Sequence, residues 1–148
     1  MALANDDRAG FALLLFGHGA RVITRRESRG IVTIDRRTIV FLAHADQGSV
    51  RLAGSCALAA AAMGDRVDVF LLGEAVRAVV EAAEEPDEGP ARALFQARGA
   101  GNCRLLACSA GLVESGIDPA AAQEALDAVV GWPTILEWTR GVPDRFFF

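Results

Sequence analysis

The segment Cys103-Arg-Leu-Leu-Ala-Cys-Ser-Ala-Gly-Leu-Val-Glu-Ser-Gly-Ile-Asp118 holds two of the chain's three cysteines, five positions apart. A strand rises about 3.3 Å per residue and alternates faces, so these thiols would stand on opposite faces, ~16 Å apart, too far to bridge within one chain. A structural zinc site wants four ligands from close-spaced pairs, and the only histidines are His18 and His44, so no metal is expected. Cys108 remains as the one candidate nucleophile. It ends a strand with a helix starting behind it, where free N–H groups and the positive end of the helix dipole favour thiolate over thiol. Ligands of open α/β sheets also collect at that end of the strands. The alternative is a small buried hydrophobe, a common fate for cysteine.

Several thiol and phosphate chemistries are excluded by spacing. A C-x5-R oxyanion loop would need arginine at position 114, where Glu114 stands. There is no Cys-x-x-Cys redox pair, and no Ser/Thr/Gly-rich phosphate loop follows the first strand. Every one of the fifteen basic residues is arginine, so a Walker A loop, a Schiff-base nucleophile and a phospho-receiver lysine cannot be built. No cofactor is expected.

The elements that must position Cys108 begin at residue 38, where short β-rich runs alternate with amphipathic helical ones, the signature of a parallel sheet covered on both faces. Thr38–His44 reads as a buried parallel strand. Ser49 is placed to cap the next helix, whose stripe of Leu52, Cys56, Ala59 and Met63 predicts a core face ended by Gly64. Asp46 is expected to bind a loop amide. Arg66–Leu72 is the second strand, and residues 74–85 and 91–98 are helices on either side of the acidic loop Glu84–Pro90. Cys103–Cys108 is the third strand, followed by a short helix closed by Gly116. Asp118-Pro119 opens a helix ending near Gly131, and Ala128–Pro133 is either a brief fourth strand or the end of that helix. Pro133–Arg140 predicts a helix and Asp144–Phe148 a fifth strand. Trp132 and Trp138 read as core or subunit-interface anchors.

At 148 residues the chain has the size of one domain, able to bury about 68 to 70% of its unfolded surface without disulfides. The odd cysteine count and an N-terminus without secretory character predict a cytoplasmic location. The longest apolar runs, such as Phe11–Phe16, fall far short of the ~20 residues that span a bilayer. Residues 1–37 carry seven arginines against four acids, whereas the remainder carries eight against fifteen. The basic head reads as an extension, either a solvated tail or, through its apolar runs Phe11–Phe16 and Ile31–Ile34, an added hairpin. An acidic body predicts no nucleic-acid groove and no direct nucleic-acid binding.

The strand-loop-helix run TIVFLAHADQGSVRLAGSCALAAAAMGDRVDVFLLGEAV, the cysteine in LLACSAGLVESGI and the ending DRFFF together resemble the DsrE/DsrF-like sulfur-relay proteins over residues 38 to 148. The resemblance implies a flavodoxin-like three-layer α/β sandwich with a five-stranded, mainly parallel sheet. It further implies homotrimers or homohexamers, other sulfur-relay proteins as donor and acceptor, and Cys108 carrying sulfane sulfur as a persulfide. Many members have arginine before the glycine that follows the cysteine, where this chain has Glu114-Ser115-Gly116. In a 2-1-3-4-5 strand order the first and third strands are adjacent, which would bring His44 beside Cys108 as a second catalytic group. The rival from another class is an oligomeric ligand-binding or structural protein with an inert Cys108.

Overall fold

The computed structural model describes residues 36–148; the expectations for the basic head, apart from Arg36 and Arg37, lie outside the described residues. Five strands form one sheet: β1 (Arg37–Leu42), β2 (Arg66–Leu71), β3 (Cys103–Cys108), β4 (Ala128–Val130) and β5 (Asp144–Phe147). Six helices connect them: α1 (Gln47–Ala62), α2 (Glu74–Ala82), α3 (Arg92–Gly99), α4 (Ser109–Glu114), α5 (Pro119–Ala125) and α6 (Trp132–Thr139). All strand pairs are parallel.

The expected parallel α/β sheet is present, but its strand order is 4-3-2-1-5, not 2-1-3-4-5. Parallel crossovers are overwhelmingly right-handed, so successive steps in one direction put their connecting helices on one face. From β1 to β4 the chain steps steadily one way, and α1 to α5 all contribute to the same core, with Val40, Val69 and Leu105 from the sheet. The return from β4 to β5 reverses direction. Its helix α6 therefore lies on the other face, where Ile135 packs on Ile39, Phe70, Leu106 and Cys108. On that face Phe41 stacks between Phe70 at 5.4 Å and Phe147 at 4.8 Å, tying β2, β1 and β5 together.

Helix α1 corrects the expected face. Asp46, not Ser49, is its N-cap, accepting the Ser49 N–H at 3.0 Å. Leu52 and Met63 are 60% and 74% exposed. The buried face is instead Val50, Ala53, Gly54, Ala57, Ala60 and Ala61. Small residues are needed there because α1 lies close to the chain entering α3: a Cβ on Gly54 would meet the Ala93 Cβ at 3.0 Å. The helix opened by Asp118 ends at Ala125 rather than near Gly131, because Asp127 turns back to accept the Leu105 N–H at 2.8 Å and delivers Ala128–Val130 to the sheet as β4.

Helix α4 is seated by another close approach. A Cβ on Gly111 would stand 2.8 Å from the Gly73 backbone nitrogen, and backbone cannot yield cheaply. Gly111→Ala should lower unfolding stability by about 1–3 kcal/mol through overpacking, against alanine's helix preference of roughly 1 kcal/mol. Gly99→Ala, whose Cβ meets nothing within 4 Å, should be neutral or stabilising. Urea midpoints with an unchanged slope would read both effects.

Candidate functional site

Cys108 is the last residue of β3 and the residue immediately before α4, with an extended backbone at φ −71° and ψ 128° that lets the chain turn from strand into helix. The expected position, at a strand's carboxyl end and a helix's amino end, is met. Its register partner is Val130 on β4. The side chain lies on the α6 face among Leu106, Val130, Ile135 and Val142, and the residue is 2% exposed. Cys103 stands on the opposite face, in the core of the first five helices, as strand alternation requires. All three thiols are free, and Cys56 is half-buried on α1.

The sites foreseen around Cys108 are dispersed by the strand order. Strand β2 intervenes between β1 and β3, and strands lie about 4.8 Å apart, so the adjacency on which His44–Cys108 pairing rested is absent. His44 is exposed, beyond the end of β1. Hydrogen bonds from Ser49 chiefly hold the Asp46 carboxyl below its ordinary range, with the neighbouring His44 a minor contributor. Glu114 faces a different space. With Ser115, Gly73, Glu74, Arg77 and Glu81 it lines an open cavity of about 610 Å³ that Cys108 does not line.

Arg77 is a residue that sequence reasoning missed. It comes from α2 and donates to the Ser115 carbonyl, while the Ser115 hydroxyl reaches the Gly73 carbonyl at 3.2 Å. A guanidinium therefore stands at the carboxyl end of α4, supplied by another helix instead of by the residue before Gly116. Its only sequence signal is an arginine on a helix otherwise apolar on one face.

A second missed group lies at the opposite, amino end of the strands. Asp68 is buried in β2, where Arg104 on β3 donates to it at 2.7 Å and Arg37 on β1 donates at 2.9 Å. The Arg104 guanidinium lies 4.9 Å from the Trp138 ring centroid. A charged residue in the middle of the apolar strand Arg-Val-Asp-Val-Phe-Leu is the signal that could have found it.

Among the described residues no three His, Cys, Asp or Glu side chains are grouped to hold a metal ion, and no helix is long and apolar enough to cross a membrane.

The DsrE/DsrF-like family pattern matches residues 36–140. No curated protein sequence matches the chain significantly. The ychN protein from E. coli superposes with a TM-score of 0.56 at 18% identity, over 76% of this chain and 99% of that one, a likeness of fold.

The Cys103 thiol is pushed up from 9.0 to about 12, chiefly by burial, with Asp127 and Asp68 adding and Arg98 opposing. A raised thiol pKa keeps the folded state protonated where the unfolded chain has lost its proton. Its contribution to stability is therefore complete below pH 9.0 and lost as pH rises from there through about 12. The chain contains neither tyrosine nor lysine, so cysteines dominate titration in that window. Unfolding free energy should decline between pH 9 and 11, and Cys103→Ala should flatten the slope.

Proposed function

The chain belongs to the DsrE/DsrF-like family, and on that premise we propose that it is a sulfur-carrier protein that accepts and passes on sulfane sulfur as a persulfide on Cys108. The observation that carries this reading is the thiol's place at the junction of β3 and α4, with an N-terminal helix turn behind it. Acceptance needs no external oxidant. The Cys108 thiolate attacks the terminal sulfur of a donor persulfide, the new S–S bond forms as the donor S–S bond breaks, and the donor leaves as thiolate. Donation is the same step with the roles exchanged. At 2% exposure the thiol must be uncovered for each transfer, and among the described residues it shares its core with Val130, Ile135 and Val142. Other sulfur-relay proteins in the cytoplasm are the proposed donor and acceptor.

The same exposure figure favours a second reading, in which Cys108 is an inert core residue of an oligomeric ligand-binding or structural protein. Both readings include self-association into homotrimers or homohexamers. Support comes from apolar side chains left uncovered on the described surface: Leu52 on α1 and Met63 at its C-cap, Trp132 and Leu136 on α6, and Phe146 and Phe147 on β5. Exposed large apolar side chains of this kind are candidates for burial between subunits.

Incubation with a cysteine desulfurase and cysteine, or with a thiosulfate sulfurtransferase, followed by intact mass, separates the two. The carrier reading predicts one added sulfur on wild type, retained in Cys56→Ser and Cys103→Ser and lost in Cys108→Ser. Loading that persists in Cys108→Ser, or no loading of wild type, selects the inert reading. Light scattering on the same samples should give at least three chains per particle, and a monomer at micromolar concentration would reject the assembly.

A further inference from the structure

A second cavity, of about 560 Å³, opens at the amino ends of β1, β2 and β3, lined by Arg37, Asp68, Gly101, Asn102, Arg104 and Trp138, and also by Arg66. We propose that this cavity binds a small oxyanion of the phosphate or sulfate class, with Arg37 and Arg104 as its ligands and Asp68 as the carboxylate that positions them.

Two cations there face one anion. Asp68 accepts through Oδ2 from both Nε and Nη2 of Arg37, and through Oδ1 from Nε of Arg104. Both carboxylate oxygens are thus occupied, and its single charge is spent against two guanidinium charges. Arg37 Nη1 and both terminal nitrogens of Arg104 have no acceptor among the described residues. Arg66 is itself engaged and is not counted.

The pair is also prepared for a ligand. Asp68 is nine-tenths and more buried, whereas Arg37 and Arg104 are 26% and 48% exposed, so the carboxylate fixes two guanidinium planes from the sheet side and leaves their outer edges to solvent. Stacking of Arg104 on Trp138 fixes it from a second direction. Guanidinium groups held in this way lose little side-chain entropy on binding, and their fork of donors matches tetrahedral oxyanions. This net positive concavity lies on a body whose residues 38–148 carry eight arginines against fifteen acids, so electrostatics localise an anion here rather than over the surface at large. Arg104 lies four residues before Cys108 on the same strand, about 13 Å along it, so the inference stands apart from the sulfur chemistry.

Trp138 lines the cavity and Trp132 does not, which gives a direct readout. In the full-length Trp132→Phe protein, sodium phosphate and a nucleoside monophosphate, each titrated against sodium chloride at matched ionic strength, should change Trp138 fluorescence saturably. A response to inorganic phosphate assigns a free-ion site, and a response to the nucleotide alone assigns a phosphate ester; either supports the proposal. Calorimetry should then give about tenfold or weaker affinity in Arg104→Gln, with Arg37→Gln as the second variant should the first fail to fold. Cys108→Ser should bind as wild type does, whatever the result of sulfur loading. No phosphate-specific response in the Trp132→Phe protein, or unchanged affinity in a folded arginine variant, would overturn the assignment.

Discussion

A parallel sheet must be covered on both faces, because its strands are apolar on both, and right-handed crossovers decide which face each helix covers. In this chain four strands are laid down in one direction before a single reversal places β5 against the outer edge of β1. The consequence, among the described residues, is a sheet whose two faces are unequally covered. One face receives α1 to α5 and a core rich in alanine and valine, whereas the described cover of the other is α6 and the chain around Val142. The β1–β5 pairing that completes the sheet is reinforced beyond the ladder, since Phe148 exchanges backbone hydrogen bonds with Phe41 and Ala43.

That asymmetry sets the character of each candidate site. Cys103 and Cys108 belong to one strand, yet Cys103 belongs to the core shared with α1 to α5, whereas the described core around Cys108 is shared with α6, a helix of eight residues. A short, singly packed helix is the sort of element that opens without global unfolding. The same thinly covered face carries the Asp68 network and the Phe70–Phe41–Phe147 stack. Burial alone therefore does not distinguish a relay thiol from a structural one. The free energy needed to lift its cover does.

Much of the fold was legible because strands and caps have local signatures. Cys103–Cys108 follows directly from apolar β-rich residues bounded by Gly101-Asn102 and a helix start, and Asp118-Pro119 forms the N-cap and first turn of α5. Strand β4 was left open because only three residues pair there, too few for any periodicity. The α1 face is not legible from its large apolar residues, because close packing at Gly54 requires small ones and turns Leu52 and Met63 outward. His44 was brought to Cys108 by an assumed strand order, and order depends on the direction of each crossover, which no local residue pattern encodes. The position of Cys108 was readable; its depth was not, since depth depends on where α6 lands.

Sulfur transfer at Cys108 requires that the thiol become accessible by local opening of the α6 face. Iodoacetamide alkylation of Cys108 in the native protein, followed by peptide mass over a range of low urea concentrations, measures that opening against global unfolding. A relay thiol at Cys108 should show an opening free energy well below that of global unfolding and nearly independent of urea, because little surface is exposed when one short helix lifts. Alkylation of Cys108 that proceeds only through global unfolding, with the full urea dependence of that transition, would contradict that role.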